Sequence, residues 1–428
     1  MNRLLSFATL GVITLTASVV QAQSSEAGAT AVVEGAGVKV GEGTVLHPVL
    51  GIESGVVQNV FYEENSTNVA GVLRIIGELV VGSLPSERMQ MPSEETPETQ
   101  NFGDLAFRGD LHLQYDEYLS SSDRVQAQRG VSGFASAQGL VFPKQTWQFG
   151  FGDVFSRTIR PLNFESSENV QRDINTLSLD LRFRPKGRTL SGLVGYANTI
   201  DYFEEDTQKF ANRIAHRFRA NVGWQWLPVT RIYGDVSVGL VGPLGSESTR
   251  PSSVPIKAIV GIASAITVKT AVNARIGFGK GFYTTEDFTN VIGGVTFSYR
   301  PSPELKLSAG YDYDFEDSIN ANFYRDHAIK VRADYRRDRL TLTAATELRF
   351  RLYRGVIQEV MTDQRDRNDV IFAVGAGAIY NFKNWIAATV DYQLAIDQTD
   401  FRYTPETGLI DDPSYVRQTV MLGVRAAY

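Results

Sequence analysis

The chain has 428 residues, of which 43% are apolar, 11% aromatic and 21% charged, and its formal net charge is −6. The absence of Cys excludes a disulfide framework and a lipid-modified N-terminal cysteine. The apolar fraction is too low for a helical membrane protein, and no Pro/Ser-rich linker divides the chain in the middle, so one large continuous architecture is expected.

Residues 1–22 have the pattern of a secretory signal peptide. The short basic start MNR precedes the apolar run LLSFATLGVITLTASVV, and VQA at 20–22 supplies the residues that a signal peptidase reads. We therefore expect an exported chain that begins near Gln23. No other stretch approaches 18 uninterrupted apolar residues, so the sequence predicts no membrane-spanning helix. Residues 23–42 are Gly/Ala-rich, and we expect them to form a flexible periplasmic lead-in.

Apolar and polar residues alternate along about eighteen later segments. In LSLDLRFR, for example, Leu177, Leu179 and Leu181 face one way, whereas Asp180 and Arg182 face the other. A period of two predicts β-strands with one apolar and one polar face. Most segments have the length of about ten residues that a tilted strand needs to cross hydrocarbon. Their centres lie near residues 52, 75, 111, 134, 151, 178, 195, 219, 236, 260, 273, 295, 309, 330, 345, 374, 391 and 421.

The connections between the segments also alternate. They are short after every even-numbered segment from the fourth to the sixteenth, as in FPKQ, RPKG and RRDR, and mostly longer and polar elsewhere. An outer-membrane barrel has short turns on one rim, long loops on the other and an even strand number. We therefore predict an all-β fold, a transmembrane antiparallel β-barrel of about eighteen strands over residues 43–428, with both termini periplasmic. The alternative, a soluble β-sandwich, would not sort its loops by parity.

Residues 83–101, SLPSERMQMPSEETPETQN, form an unusually long connection on the short-turn side. Their richness in Glu, Pro and Ser fits either a docking site for a periplasmic partner or a disordered insertion.

Aromatic residues mark the expected rims of the barrel. Amphipathic rings collect at membrane interfaces, and every Trp of the chain lies beside a short turn. We expect an interface girdle of Trp147, Trp224, Trp226 and Trp385. A second girdle beside the long loops could be formed by Tyr62, Tyr118, Tyr202, Tyr283 and Tyr353.

The last segment, VRQTVMLGVRAAY, alternates up to Tyr428. Because an unpaired strand edge in lipid leaves backbone groups unsatisfied, we expect this strand to pair with the first one. We also expect it to present a recognition signal to the barrel-assembly machinery, carried by Val420, Leu422, Val424 and Tyr428. The alternative is a plain last strand with no role in recruitment.

The sequence indicates no catalytic, cofactor-binding or metal site. The four His, at 47, 112, 216 and 327, show no ligand spacing, and HExxH and GxSxG are absent. GFGKGF at 277–282 lacks the strand–loop–helix context of a phosphate loop, so we expect Gly277 and Gly279 to relieve crowding inside the barrel. We therefore expect neither an enzyme nor a nucleic-acid-binding protein.

The polar strand face predicts the lining of the lumen. The residues expected there are Arg108, Asp110, Arg182, Arg184, Arg217, Arg219, Arg275, Arg332, Arg349, Arg351 and Arg425. This lining is net basic, and the acidic excess falls in stretches that we expect to be loops: YEEN, FEED, FEDS and IDD. A basic lining favours anionic solutes. In the alternative interpretation, Arg and Asp pair across strands and brace the wall.

The opening segments resemble those of the β-barrel porin type 2 family. HPVLGIESGVVQNVF (47–61) precedes VAGVLRIIGELVVG (69–82), and Asn59, Val60 and Phe61 match the family pattern. Val57 and Gln58 replace the aromatic–acidic pair that usually comes before it. The layout over residues 45–428 also resembles eighteen-stranded barrels encoded with polysaccharide-export systems.

The resemblance implies a translocation conduit in a Gram-negative outer membrane. Its cargo would be a secreted polysaccharide (exopolysaccharide or capsule), and its partner a periplasmic polysaccharide-export protein. A general diffusion porin for small, including anionic, solutes is the first alternative, and it predicts a fixed constriction and a trimer. The second alternative is a structural or adhesive barrel.

Overall fold

The structure, a computed structural model, describes residues 37–41, 44–64, 66, 68–83, 104–159, 171–187, 189–284, 286–356, 366–402 and 413–428. The predicted signal peptide 1–22 lies outside the described residues. So do residues 23–36 and 42 of the predicted lead-in and residues 84–101 of the connection 83–101, and the expected roles of both segments remain predictions.

The described chain forms one antiparallel sheet that closes on itself. A short strand, β1 (Val38–Gly41), precedes the wall of the barrel. The eighteen strands of the wall are β2 (Thr44–Gln58), β3 (Val69–Gly82), β4 (Leu105–Leu119), β5 (Gly130–Val141), β6 (Trp147–Thr158), β7 (Arg172–Phe183), β8 (Leu190–Phe203), β9 (Arg213–Leu227), β10 (Thr230–Pro243), β11 (Val254–Ala265), β12 (Thr270–Phe282), β13 (Phe288–Tyr299), β14 (Leu305–Asp317), β15 (Ala321–Arg337), β16 (Leu340–Val356), β17 (Asp366–Lys383), β18 (Ile386–Thr399) and β19 (Tyr415–Ala427). Each strand pairs with its neighbours in sequence, and the predicted barrel of about eighteen strands is confirmed.

The barrel closes between its last and first wall strands. The ladder of β19 and β2 runs from Gln418 opposite Gln58 to Ala427 opposite Val49. Beyond that ladder, β1 pairs with β2, with Val38 opposite Leu46. Strand β1 belongs to the end of the segment expected to be a flexible lead-in. It covers the part of the β2 edge that β19 does not reach.

The two faces of the wall differ as the alternation predicts. Leu177, Leu179 and Leu181 of β7 are 43%, 39% and 47% exposed on the outer face. Asp180 and Arg182, between them in the sequence, form an ion pair at 2.5 Å on the inner face. An exterior of exposed apolar side chains is the surface that hydrocarbon requires.

The rims also follow the predicted parity. Seven turns of two to six residues on one rim are 142–146, 184–189, 228–229, 266–269, 300–304, 338–339 and 384–385. The other rim has longer joins, which include a one-turn helix, α1 (Asp123–Gln126), and a 3-10 helix over Asp206–Ala211. Two joins on that rim are exceptions, because three residues (318–320) connect β14 to β15 and five (283–287) connect β12 to β13. Within the described ranges, no helix is long and apolar enough to cross a membrane.

The predicted girdle and recognition residues are exposed on the outer face. The four Trp side chains are 46–57% exposed beside the short-turn rim. Val420, Leu422 and Val424 are 42%, 57% and 49% exposed, and Tyr428 donates its backbone N–H to the carbonyl oxygen of Pro48. The recruitment role of the last strand remains a prediction.

Candidate functional site

Most arginines predicted to line the lumen form ion pairs along the inner wall. Their guanidinium groups lie 2.5–2.9 Å from a carboxylate on the same or a nearby strand. These pairs are Arg108–Asp110, Arg182–Asp180, Arg219–Asp235, Arg275–Asp312, Arg332–Asp334, Arg349–Glu347, Arg351–Asp326 and Arg425–Glu53. The bracing interpretation therefore describes most of the predicted lining. Arg184 lies in the turn after β7, and no carboxylate of the described residues is within ion-pair distance of Arg217.

The wall is interrupted between β13 and β14. Their ladder begins at Gly293 opposite Tyr313, so Phe288–Ile292 and the last residues of β14 are not paired with each other. Two backbone donors near the gap are satisfied by the preceding side chain instead. Phe315 N donates to Asp314 Oδ1, and Val291 N donates to Asn290 Oδ1, both at 2.8 Å. The interruption is therefore compatible with satisfied backbone groups.

The ends of β14 and β15 turn inward at this gap. The two strands stay paired up to Asp317 opposite Phe323, and together with the join 318–320 they form the luminal hairpin, residues 314–326. The packing of two phenylalanine side chains shows this inward turn. Phe315 and Phe323 lie on the face of the hairpin that continues the barrel exterior, but they pack on the inner face of β13.

An apolar layer holds the hairpin against the wall. Phe315 is fully buried and stacks on Phe288, with ring centroids 4.1 Å apart, and Ile292 and Phe323 complete the cluster. Burying the two hairpin rings stabilises this position by about 3–6 kcal/mol. Gly279 of β12 makes room for them, because a Cβ built there would lie 2.5 Å from Phe315 Cε1. The expected role of Gly279 in relieving crowding is therefore observed, whereas the sequence did not indicate which element it accommodates.

Lys257 of β11 is the main polar anchor of the hairpin. Its Nζ donates to the carbonyl oxygen of Phe315 at 2.7 Å and lies 2.8 Å from Asp314 Oδ1 and 2.9 Å from Glu316 Oε1. One ammonium group thus satisfies a strand carbonyl and two carboxylates. FEDS (315–318) was expected to be a loop, but its first three residues belong to β14, and its carboxylates are bonded to the wall.

Two further hydrogen bonds hold Asp317. Ser253 Oγ donates to Asp317 Oδ2 at 3.1 Å, and Tyr283 OH donates to Asp317 Oδ1 at 2.7 Å. Burial and the neighbouring Asp317 carboxylate raise the pKa of Tyr283 well above its usual range. The phenol therefore stays protonated, and it remains a donor, across the pH range in which proteins are studied.

The tip of the hairpin reaches strands far from its own. Ile319 packs with Phe203 at the end of β8 and with Ala211 of the 3-10 helix. Its carbonyl oxygen accepts a hydrogen bond from Arg250 Nη1 at 3.3 Å. Because β14 is the sixth strand after β8 in the barrel order, the hairpin covers the inner side of several wall strands at the long-loop end.

A cluster of Tyr and Arg side chains packs on the inner wall beside the hairpin. Arg351 is fully buried, with its Cζ 3.8 Å from the ring centroid of Tyr324, and its Nη2 pairs with Asp326 Oδ2 at 2.7 Å. Tyr353 is fully buried beside it, and Arg367 Cζ lies 4.9 Å from the Tyr353 ring. Cation–π contacts therefore pack this part of the inner wall at the long-loop end.

The suggested second girdle is largely wrong. Tyr202 is 39% exposed on the outer face, but Tyr62, Tyr118 and Tyr353 are at most 4% exposed and point inward. Tyr283 also points inward, onto the luminal hairpin. Nearness to a long loop did not indicate which face of the strand each ring occupies.

A closed barrel with an even strand number, an apolar exterior and a polar interior is the architecture of outer-membrane proteins. The chain is therefore an outer-membrane β-barrel with an in-folded hairpin. In the part of the chain that the structure describes, no group of three or more His, Asp or Glu could hold a metal ion.

No family model and no curated protein matches the chain, so the resemblance of the opening hairpin to the β-barrel porin type 2 family remains a prediction. Solved structures are similar in architecture. Acinetobacter baumannii OccAB4 is 10% identical with a TM-score of 0.47, over 90% of this chain and 98% of that chain. Pseudomonas aeruginosa OpdK with vanillate is 9% identical with a TM-score of 0.46, over 90% and 99%. The Neisseria meningitidis FrpB iron transporter is 8% identical with a TM-score of 0.46, over 89% and 81%. At these identities the likeness assigns no solute.

Proposed function

We propose that the protein is an outer-membrane channel for small solutes whose passage is narrowed by the luminal hairpin. A barrel of sixteen to eighteen strands encloses an aqueous lumen that wall side chains do not fill. The observation that carries the proposal is the contact of Ile319 with Phe203 and Ala211, which places the hairpin tip across the inner side of the wall. A packed hairpin supports a fixed constriction, which is the feature expected of a diffusion channel.

The other two functions have less support. A polysaccharide conduit requires a passage for a polymer, and the buried contacts of Phe315 and Lys257 oppose displacement of the hairpin. An adhesive or structural barrel would use its long loops and would pass no current. For the channel, we propose that the short turns and both termini face the periplasm, which agrees with the predicted signal peptide and with the assembly signal expected in β19.

The proposal is tested by reconstitution into planar bilayers and liposomes. We expect discrete single-channel currents, and liposome swelling in small sugars that falls off sharply as the sugars become larger. The double variant Phe315→Ser/Phe323→Ser should weaken the apolar layer and raise both the conductance and the size limit. An absence of current through correctly folded wild-type barrel would refute the channel. Currents that are identical in the double variant would refute the role of the hairpin.

A strain that lacks the gene separates the two transport functions. The proposed channel predicts normal secreted polysaccharide and slower entry of small dyes. Loss of polysaccharide with unchanged dye entry would instead establish the conduit.

A further inference from the structure

Strand β9 directs three arginines, Arg213, Arg217 and Arg219, to the inner face of the barrel. Arg213 Nε lies 2.8 Å from Asp201 Oδ2, and Arg219 Nε lies 2.6 Å from Asp235 Oδ2. Arg217 lies between them on the same face. It is partly exposed, and no carboxylate of the described residues lies within ion-pair distance of it.

The neighbouring strands supply no acidic partner for Arg217. Directly opposite it are Ala197 on β8 and Gly239 on β10. Opposite Arg213, the corresponding residue of β8 is Asp201. The wall therefore offers a carboxylate to Arg213 but only the methyl group of Ala197 to Arg217. The diagonal neighbours of Arg217 are also uncharged: Gly195, Thr199, Ser237 and Val241. Neither residue directly opposite Arg217 offers it a polar side chain.

This position lies at the level of the hairpin anchor. Lys257 is opposite Ser237, which is two residues from Gly239. Gly239 is so close to Pro255 that a Cβ built on the glycine would lie 2.8 Å from Pro255 Cγ. The carboxylate of Glu316 on the hairpin is held by Lys257, and it lies beyond ion-pair distance from Arg217. No carboxylate of the hairpin therefore pairs directly with Arg217.

The wall around β9 carries an excess of positive charge. Arg172 and Arg213 share the Asp201 carboxylate, with contacts of 2.5 and 2.8 Å. With Arg217 and Arg219, four guanidinium groups face two carboxylates, Asp201 and Asp235. On the hairpin, Asp314 and Glu316 share Lys257, and Asp317 accepts hydrogen bonds from two hydroxyl groups, so the positive excess belongs to the wall around β9.

We infer that Arg217 is the specificity-determining residue of the channel and binds the oxyanion of a passing solute, a carboxylate or a phosphate. This inference rests on the proposed channel function. A guanidinium group presents two parallel N–H donors that match either oxyanion. The ion pairs on either side of Arg217 are formed by Arg213 and Arg219, so the donors of Arg217 are not used in them. The neighbouring arginines are bound to wall carboxylates, so a solute must displace a partner to reach them but displaces none at Arg217.

The test measures reversal potentials in a salt gradient across planar bilayers. We expect wild-type channels to prefer chloride to potassium, and Arg217→Gln to lower that preference about threefold. Arg217→Lys should keep most of it. Ala197→Asp, which adds the missing carboxylate to the wall, should act like Arg217→Gln. The matched control Lys280→Gln removes the same charge from the outer face, where the ammonium lies 4.5 Å from the exposed Phe282 ring, and should keep the wild-type ratio.

The outcomes separate the inference from the proposed function. If folded wild-type protein conducts no current, the channel itself is refuted. If it conducts, but Arg217→Gln and Ala197→Asp keep the wild-type selectivity, only the assignment of Arg217 is refuted. Succinate and inorganic phosphate, added separately, distinguish the two oxyanions. The one that Arg217 favours should reduce the wild-type chloride current, and this block should be lost in Arg217→Gln.

Discussion

Lys257 Nζ lies 2.9 Å from Glu316 Oε1, and this contact joins the wall strand β11 to a hairpin built from strands further along the barrel. An ion pair between neighbouring strands would only brace the wall. This pair instead holds an inner layer in place, because the β13–β14 ladder ends at Gly293 and Tyr313 and the end of β14 passes behind β13. The narrowing of the lumen therefore depends on a few side chains of β11–β13.

Replacing Lys257 with Met should loosen the hairpin. Two carboxylates, Asp314 and Glu316, would lose their cation, and removal of one partner from a buried pair costs about 3–5 kcal/mol. We expect larger and noisier single-channel currents and a lower temperature for the heat-induced gel-mobility shift. Lys330→Met is the control, since Lys330 is half exposed and lies 3.5 Å from Glu347, a pair worth about 0–1 kcal/mol. Equal effects of the two variants would contradict the anchoring role.

Gly55→Ala should impair closure of the barrel. Gly55 is opposite Met421 at the β2–β19 junction, and a Cβ built on it would overlap the Val420 carbonyl oxygen and lie 2.9 Å from Met421 Cα. Overpacking of this kind costs about 1–3 kcal/mol. We expect a lower yield of folded barrel in the outer membrane and a lower unfolding temperature. Gly77→Ala should be neutral, because a Cβ there meets nothing within 4 Å, and a loss of yield in that variant would invalidate the steric explanation.

Glu53→Ala should destabilise the same junction by a different route. Glu53 Oε1 accepts a hydrogen bond from Arg425 Nη2 at 2.9 Å, and its other oxygen lies 3.6 Å from Arg74 Nη1. Both arginines are largely buried, but Arg74 keeps Asp116 at 2.7 Å and Arg425 keeps Glu78 at 3.4 Å. Loss of the Glu53 carboxylate should therefore lower the free energy of unfolding by about 1.5–3 kcal/mol, the contribution of a hydrogen bond to a charged group. Urea titration of refolded protein in detergent or lipid measures this change.

The matched control for Glu53→Ala is Glu117→Ala. Glu117 lies 3.8 Å from Arg129, which is 60% exposed, and it also accepts a hydrogen bond from the Tyr115 hydroxyl group. A pair at the surface contributes about 0–1 kcal/mol, so this variant should unfold close to the wild-type urea concentration. Equal midpoints for the two variants would show that the Glu53 contacts do not stabilise the closure.

Cysteine labelling tests the proposed orientation. The chain has no Cys, so single cysteines can be introduced without removing others. Ser121→Cys lies in the long join between β4 and β5, and Lys186→Cys lies in the short turn after β7. A membrane-impermeant maleimide should label the first variant in intact cells and the second only after the outer membrane is opened. The reverse pattern would place the long loops in the periplasm.

The wall of the barrel could be predicted from local pattern alone. Alternation with a period of two located all eighteen wall strands, and the parity of the joins indicated which rim carries the short turns. Both properties are local, because the face of a strand residue depends only on its position in the alternation. The ion pair of Arg182 with Asp180 could be predicted for the same reason, because the two residues are two positions apart on one strand face.

The inward turn of β14 and β15 could not be read in this way. Phe315 and Phe323 have the spacing of lipid-facing residues, and FEDS has the composition of a loop. The stretch GFGKGF gave one indication of the inward turn. Its glycines suggested crowding inside the barrel, but they did not show which residues cause it. Which surface covers Phe315 depends on Gly279, Phe288 and Ile292, which are distant in the sequence and meet only after closure.

The sequence by itself determined an eighteen-stranded barrel with an apolar exterior and an arginine-rich interior, because strand periodicity and turn chemistry act over a few residues. The tertiary structure alone decided which arginines are bound to carboxylates, which rings lie inside and where the lumen narrows. Those features depend on the register between strands and on the end of the β13–β14 ladder. Arg213 and Arg217 illustrate the difference, since Asp201 lies opposite the first and Ala197 opposite the second on the neighbouring strand β8.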